Sequence, residues 1–449
     1  MSQANRLTPA EEAFVLAEQV LELPIVNQMI WRFDTPIDRD RLQRLVARVA
    51  QGPLTRRLRP ARMPFARGTW VAAPPPEPLV RVDPPIDRDE LIDWADRDLA
   101  RPFHADRGVP WTISAVPFTG GGHAVVLTAP HTLSDGSGAY AAFAAASTGE
   151  DIGRLPDDSA RTPTRLDDLR DAGRQLAAAF FGIGKLARLA LRRRKQSPAA
   201  FMSKPPAQPP RPDVPVAHAA RPSAYAVADF DEREWQAVAE LRGGSNNSLL
   251  IAFGTGLLES AGRVETGSRI PVSIPVAVRR PGDRRAIATI GATMPMTVDA
   301  TGYDDLRPVR KAAREALAHA TDPQRDQQDV LRMVTPILRL LPRKLLRSMA
   351  LRQPAAVLTC SNIGAVPAAV ASLGGDVVGA VTVRMTVQNA TVEQLRRARG
   401  GLTVWLSVSA GKATLSVLGM DPDLWPDPAA IRRAICEESA KWALQPTFW

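Results

Sequence analysis

The stretch Pro130-His131-Thr132-Leu133-Ser134-Asp135-Gly136 decides how the rest of this 449-residue chain is read. It follows an extended apolar run over residues 123–129 and precedes an alanine-rich segment over 137–147. That order predicts a strand carrying His131 to its end, a tight turn at Asp135-Gly136, and a helix leading away. Histidine has a reference pKa of about 6.5, so its neutral form can accept a proton at physiological pH. An aspartate four residues on can hold the turn, or pair with an arginine from elsewhere, and so position the ring. Glycine lets the chain bend sharply away. The same residues also suit a bland role, a histidine capping a strand end above an aspartate-stabilised turn.

Upstream of the motif, residues 111–116 and 123–129 are two extended runs joined by Pro117-Phe118-Thr119-Gly120-Gly121-Gly122, a hairpin signal. Near the start, Thr8-Pro9-Ala10-Glu11 is a capping box with proline at the first helical position. Residues 29–33 then predict a strand, followed by Pro36-Ile37-Asp38-Arg39-Asp40 and a helix to about residue 50. Residues 79–82 and Pro85-Ile86-Asp87-Arg88-Asp89 repeat that order, with a helix to about residue 99; five shared residues do not establish a duplication. Residues 1–150 are expected to form one domain that carries the motif.

Residues 151–222 have the composition of a crossover helix and a linker. The apolar run from Leu176 to Lys185, ending in Arg192-Arg193-Arg194-Lys195, suits either a helix lying on a membrane surface or one packed across a domain boundary. Eight prolines fall within residues 196–222, marking a surface linker. Residues 223–449 are expected to form a second domain. It opens with a strand at 224–230, a helix capped by Asp231, and a helix at 248–262. A strand at 270–278 precedes an arginine-rich helical stretch over 304–352. Strands at 357–362 and 379–387, a hairpin of 402–409 with 414–418, and a helix at 427–444 complete it. Interleaved strands and helices predict an α/β class with mixed sheets.

Composition narrows the function. Hydrophobic residues at 45% and charged residues at 23% allow a sizeable core. Cys360 and Cys436 offer neither metal spacing nor a disulfide framework, which fits a reducing compartment. The opening residues lack a signal pattern and no run of 18 apolar residues occurs, so the expected location is cytoplasmic, or peripheral at the inner face of a membrane. A net charge of +10 favours anionic partners such as acidic lipid, acidic carrier proteins or the phosphates of coenzyme A. An aromatic content of 5%, with three tyrosines, argues against nucleic acid.

His131 to Gly136 resembles the second half of the His-His-x-x-x-Asp-Gly signature of the coenzyme-A-dependent acyltransferase superfamily. That superfamily includes chloramphenicol acetyltransferase, nonribosomal condensation domains, polyketide-associated acyltransferases and bacterial wax ester synthase/diacylglycerol acyltransferases. Arg101-Pro102-Phe103 through Gly108-Val109-Pro110-Trp111 resembles the segment upstream of the signature. Asn247-Ser248-Leu249-Leu250-Ile251-Ala252 resembles a helix start in the second domain. Pro271-Val272-Ser273 and Ser361-Asn362-Ile363-Gly364 are similar to two strand motifs. Order and spacing are most similar to the wax ester synthase branch.

The resemblance implies two chloramphenicol-acetyltransferase-like domains in a V with a central tunnel. It implies His131 as general base, Asp135 as an orienting residue held by an arginine, and Gly136 as the turn. Arg279 is the candidate for that arginine, and with Ser361 and Asn362 also a candidate for binding substrate. No metal and no bound cofactor are implied; acyl-coenzyme A would be a co-substrate and a lipid or glycolipid alcohol the acceptor. An acyl carrier protein and an anionic membrane surface are further partners the reading admits. Two features depart from the family. Pro130 stands where the first histidine would be, and no Asp-Phe-Gly-Trp-Gly occurs, residues 381–389 reading differently. Three functions therefore stand side by side: O-acyl transfer from a coenzyme A thioester, carrier-protein-dependent condensation, and non-catalytic binding of an acyl ligand or partner.

Overall fold

The apolar runs around the motif become buried strands. In the computed structural model, which describes residues 5–150, 153, 155, 163–196, 224–299, 303–322, 327–352 and 355–449, the chain begins with α1 (Pro9–Leu21), β1 (Ile25–Phe33) and α2 (Arg39–Gln51). β2 (Arg56–Arg59), β3 (Thr69–Ala72), β4 (Arg81–Val82) and α3 (Leu91–Leu99) follow. β5 (Thr112–Pro117), β6 (His123–Pro130), α4 (Gly136–Thr148) and the long α5 (Arg165–Gln196) come next. The later part opens with β7 (Ala224–Asp231), α6 (Glu232–Leu241), α7 (Asn246–Ser260), β8 (Arg269–Ala277) and β9 (Thr289–Thr297). Helices α8 (Arg307–Thr321), α9 (Gln327–Leu338) and α10 (Arg343–Arg352) precede β10 (Leu358–Ala365), α11 (Ala368–Ala371), β11 (Ala380–Val387) and α12 (Val392–Ala398). The chain closes with β12 (Leu402–Ser409), β13 (Lys412–Gly419), α13 (Pro428–Lys441) and β14 (Thr447–Phe448).

Two sheets organise these elements. The first has the order β11-β1-β6-β5-β4 and the second β14-β7-β13-β12-β10-β8-β9; β2 and β3 form a separate ribbon. Both sheets mix orientations: β4 runs parallel to β5, and β10 parallel to β8 and β12, among antiparallel neighbours. Every residue of β6 and of β12 is buried, so each central strand is covered on both faces. Trp31, Trp111 and Phe143 anchor the core of the first sheet, and Phe230, Trp235 and Phe253 that of the second.

The two sheets are stitched together. β11 comes from the later part of the chain yet pairs with β1 over eight residues at the edge of the first sheet. Arg32 of β1 forms an ion pair with Asp229 of β7 at 2.5 Å, and its guanidinium lies over the ring of Trp449.

The structure corrects several sequence expectations. The helical stretch over 304–352 is described as three helices: Asp322 turns extended after α8, and Pro342 stands just before α10. The strand expected at 79–82 shrinks to Arg81–Val82, and the helix expected from Leu176 begins at Arg165. Strands β2, β3, β9 and β14 were not foreseen. The proline-rich linker over 196–222 lies, apart from Gln196, outside the described residues.

Candidate active site

β6 delivers His131 to the end of the first sheet. Pro130 is the strand's last residue, a position where a missing N–H is tolerated. The His131 main-chain N–H donates to the Ile25 carbonyl at 2.8 Å, which fixes the histidine beside the start of β1. Its imidazole stacks on Phe14 of α1, with ring centroids 4.7 Å apart and planes 3° from parallel. Nδ1 is buried and takes no hydrogen bond from another residue. Burial pushes the His131 pKa below its ordinary value; the nearby Asp135 charge and the residue's own main chain work the other way and do not prevail. The ring is therefore neutral at pH 7, the form a general base requires.

Asp135 is 3% exposed and its two oxygens have five partners. Oδ1 accepts from the Gly138 main-chain N–H at 2.7 Å, capping α4, and from the Ser137 hydroxyl and Arg279 Nη2, both at 2.8 Å. Oδ2 accepts from the Ala288 N–H at 2.7 Å and the Thr289 hydroxyl at 2.9 Å. Burial alone would raise the Asp135 pKa, but the Arg279 charge and these hydrogen bonds outweigh it and hold the carboxyl below its usual range. Arg279 in turn donates to the carbonyls of Asp283, Arg285 and Ala286 as well as to Ser137. Its donors are thus committed within the protein, and it acts as a strap between the motif and the loop joining β8 to β9.

That loop is tied down twice more. The Asp135 N–H donates to the Ala286 carbonyl at 3.0 Å, and the Ala286 N–H donates to Oε1 of Glu11. Glu11, the third residue of α1, also completes its capping box, its Oε2 accepting from the Thr8 N–H at 2.7 Å. One buried carboxylate thus caps α1 and fixes the loop that holds Asp135.

His131 opens on a cavity of about 350 Å³. Pro9, Ala10, Ala13 and Phe14 of α1 line one side, Ile287, Thr289 and Ile290 another, and Leu331 of α9 a third. Arg285, paired with Asp283 at 2.6 Å, contributes a charged side chain to a mostly apolar wall. A larger, shallower depression lined by Arg81, Asp83, Arg97 and Arg101 at the edge of the first sheet contains no histidine.

The structure brings His131, Asp135, Gly136 and Arg279 together at this junction. Ser361 and Asn362 lie on β10 and are not among the residues lining the cavity; the Asn362 side chain accepts from the Gly364 N–H at 2.9 Å across a register shift in the strand. Gly136 has an ordinary backbone conformation, and a Cβ there would meet nothing within 4 Å. The steric demand falls on Gly138, where a Cβ would sit 2.5 Å from Ser134 Oγ and 2.9 Å from Arg279 Nη2. Sequence reasoning missed Phe14, Gly138, Ala288, Thr289 and Arg285. The Asp-Gly-Ser-Gly run held a signal for Gly138; no local pattern connects Phe14 to His131.

No family model and no curated protein matches the sequence. Solved structures do match over nearly the whole chain. The first condensation domain of the CDA synthetase superposes with a TM-score of 0.59 at 17% identity, covering 99% of this chain and 97% of that one. The wax ester synthase/diacylglycerol acyltransferase from Marinobacter aquaeolei VT8 gives 0.54 at 14% identity, over 98% and 100%. The starter condensation domain of rhizomide synthetase, solved with C8-CoA and Leu-SNAC, gives 0.55 at 14% identity, over 98% and 94%. At these identities the likeness establishes the fold: the chain has the mixed α/β, two-lobed architecture shared by condensation domains and this wax ester synthase.

Proposed function

We propose, from that fold and from the neutral imidazole of His131 facing an apolar cavity, that the chain is an acyltransferase with His131 as its general base. The carrying observation is His131 itself, its pKa depressed by burial and its ring stacked on Phe14, at the edge of a mostly apolar cavity. Nδ1 is the buried nitrogen, which leaves Nε2 to meet a substrate. In the reaction, Nε2 takes the proton of an acceptor hydroxyl as its oxygen attacks the carbonyl carbon of an acyl thioester. The tetrahedral intermediate collapses, the C–S bond breaks, and His131 returns the proton to the departing thiolate. The products are an ester and a free thiol. Asp135 and Arg279 act as positioning residues, with no contact to substrate. The donor we favour is an acyl-coenzyme A and the acceptor a lipid or glycolipid alcohol, because the cavity walls are largely apolar. No step calls for a metal or a bound cofactor.

Thiol release from a panel of acyl-coenzyme A donors with alcohol acceptors tests this. His131→Ala is expected to lose about 10²–10⁴-fold, the usual effect of removing a positioned base. Two readings compete. Faster turnover of a carrier-bound donor would favour condensation on a carrier protein, the kind of domain that several neighbours represent. Tight acyl binding with no turnover in wild type or variant would favour a non-catalytic member, the reading that Pro130 motivates.

A further inference from the structure

α5 has two unlike sides. One is buried and anchored: Asp168 and Asp171 form ion pairs with Arg6 and Arg67, each at 2.7 Å, and Ala172 and Ala179 are buried. Gly182 brings the helix against α9, since a Cβ there would lie 2.7 Å from the Met333 carbonyl oxygen. The adjoining stripe is apolar and bare. Leu166, Leu169, Leu176, Phe180 and Ile183 recur at helical spacing over about 25 Å of helix, and all are exposed, Phe180 by 77%. Phe181, 75% exposed, stands beside Arg174, Lys185 and Arg188, all exposed on the flank. α10 repeats the theme with exposed Leu345 and Met349 next to exposed Arg343 and Lys344.

This surface adjoins the candidate site. α5 packs on α9, and α9 and α10 pack on α1. α1 and Leu331 of α9 line the His131 cavity. Exposed aromatic and aliphatic side chains edged by lysine and arginine are the chemistry of a helix seated in an anionic lipid interface. A second copy fits less well, because pairing this face with itself would bring the basic flanks together.

We propose that the exposed apolar face of α5 docks on an anionic bilayer, bringing the α9 wall of the cavity close to the membrane. Docking is independent of the acyl-transfer reading; only the use of a membrane-borne acceptor rests on it. The test is co-sedimentation of the full chain with phosphatidylglycerol–phosphatidylcholine vesicles and with phosphatidylcholine vesicles alone. Wild type is expected to sediment with the first and weakly with the second. The triple variant Phe180→Ser, Phe181→Ser, Ile183→Ser is expected to lose about tenfold or more in partition, since binding of an interfacial helix scales with the apolar area it buries. Lys185→Glu with Arg188→Glu is expected to abolish the preference for anionic vesicles. All five side chains are exposed, so melting temperatures should hold, and the charge variant keeps the test open if the serine variant does not fold. Three outcomes would overturn the proposal: wild type staying in the supernatant with anionic vesicles, binding undiminished in folded variants of both kinds, or self-association through this face without vesicle binding. No turnover is measured, so failure here leaves the acyl-transfer reading standing, and loss of turnover leaves docking standing.

Discussion

His131 is held between two influences of opposite sign. Burial disfavours the imidazolium, while the Asp135 carboxylate favours it. A catalytic base must be neutral, so activity should rise with pH through the His131 pKa, with the midpoint of that acid limb below the ordinary histidine value of about 6.5. Phe14→Ala would admit water to the ring and relieve the burial penalty, moving that acid limb to higher pH. Asp135→Asn would remove the stabilising charge and move the limb to lower pH. The two variants should therefore shift the profile of kcat/KM in opposite directions, a pattern that general destabilisation would not produce. A limb that moves the same way in both variants would count against this electrostatic account. Asp135→Asn should also cost about 3–5 kcal/mol of stability, because it leaves the buried Arg279 guanidinium without its counter-charge.

At the scale of elements, the turn into α4 joins the motif to the β8–β9 loop, and Gly138 is the point of closest approach. Gly138→Ala would press on Ser134 Oγ and Arg279 Nη2, with an expected loss of about 1–3 kcal/mol in urea unfolding and a fall in kcat/KM as the strap loosens. Gly136→Ala should change stability by no more than about 0.5 kcal/mol, since its backbone is ordinary and nothing crowds it. Equal losses in the two variants would contradict this assignment. The contrast shows what the sequence could and could not say. The strand–turn–helix around His131 was legible, because burial on both faces of β6 requires a continuous apolar run and an aspartate N-cap marks a helix start. So were the β12–β13 hairpin and the α1 capping box. β9 was missed because Gly291 and the run Met294-Pro295-Met296, within Thr289–Thr297, blur an alternation that shows only in its burial. The placement of Phe14 over His131 and of Ser361 and Asn362 away from the cavity depends on packing between distant segments, which no periodicity encodes.

At the scale of the whole molecule, Arg384 shows why the two sheets should behave as one unit. It lies on β11, fully buried, with its guanidinium paired to Asp96 at 2.6 Å, donating to the Gln28 side chain at 2.7 Å, and lying over the ring of Tyr225. One side chain thus touches α3, β1 and β7. The strand that carries it closes the first sheet, so a fragment ending at residue 196 would leave the edge of β1 unpaired. That fragment is expected to aggregate or to unfold without a cooperative transition, whereas the full chain should melt in a single calorimetric transition. Arg384→Met should lower that transition without splitting it, because it removes one of the contacts the sheets share while leaving the Arg32–Asp229 pair and the β1–β11 ladder in place. Two resolved transitions in the wild type would mean that the sheets fold independently. The His131 cavity, whose walls come from α1, the β8–β9 loop and α9, would then be set by a movable junction, and its width would vary with temperature well below global unfolding.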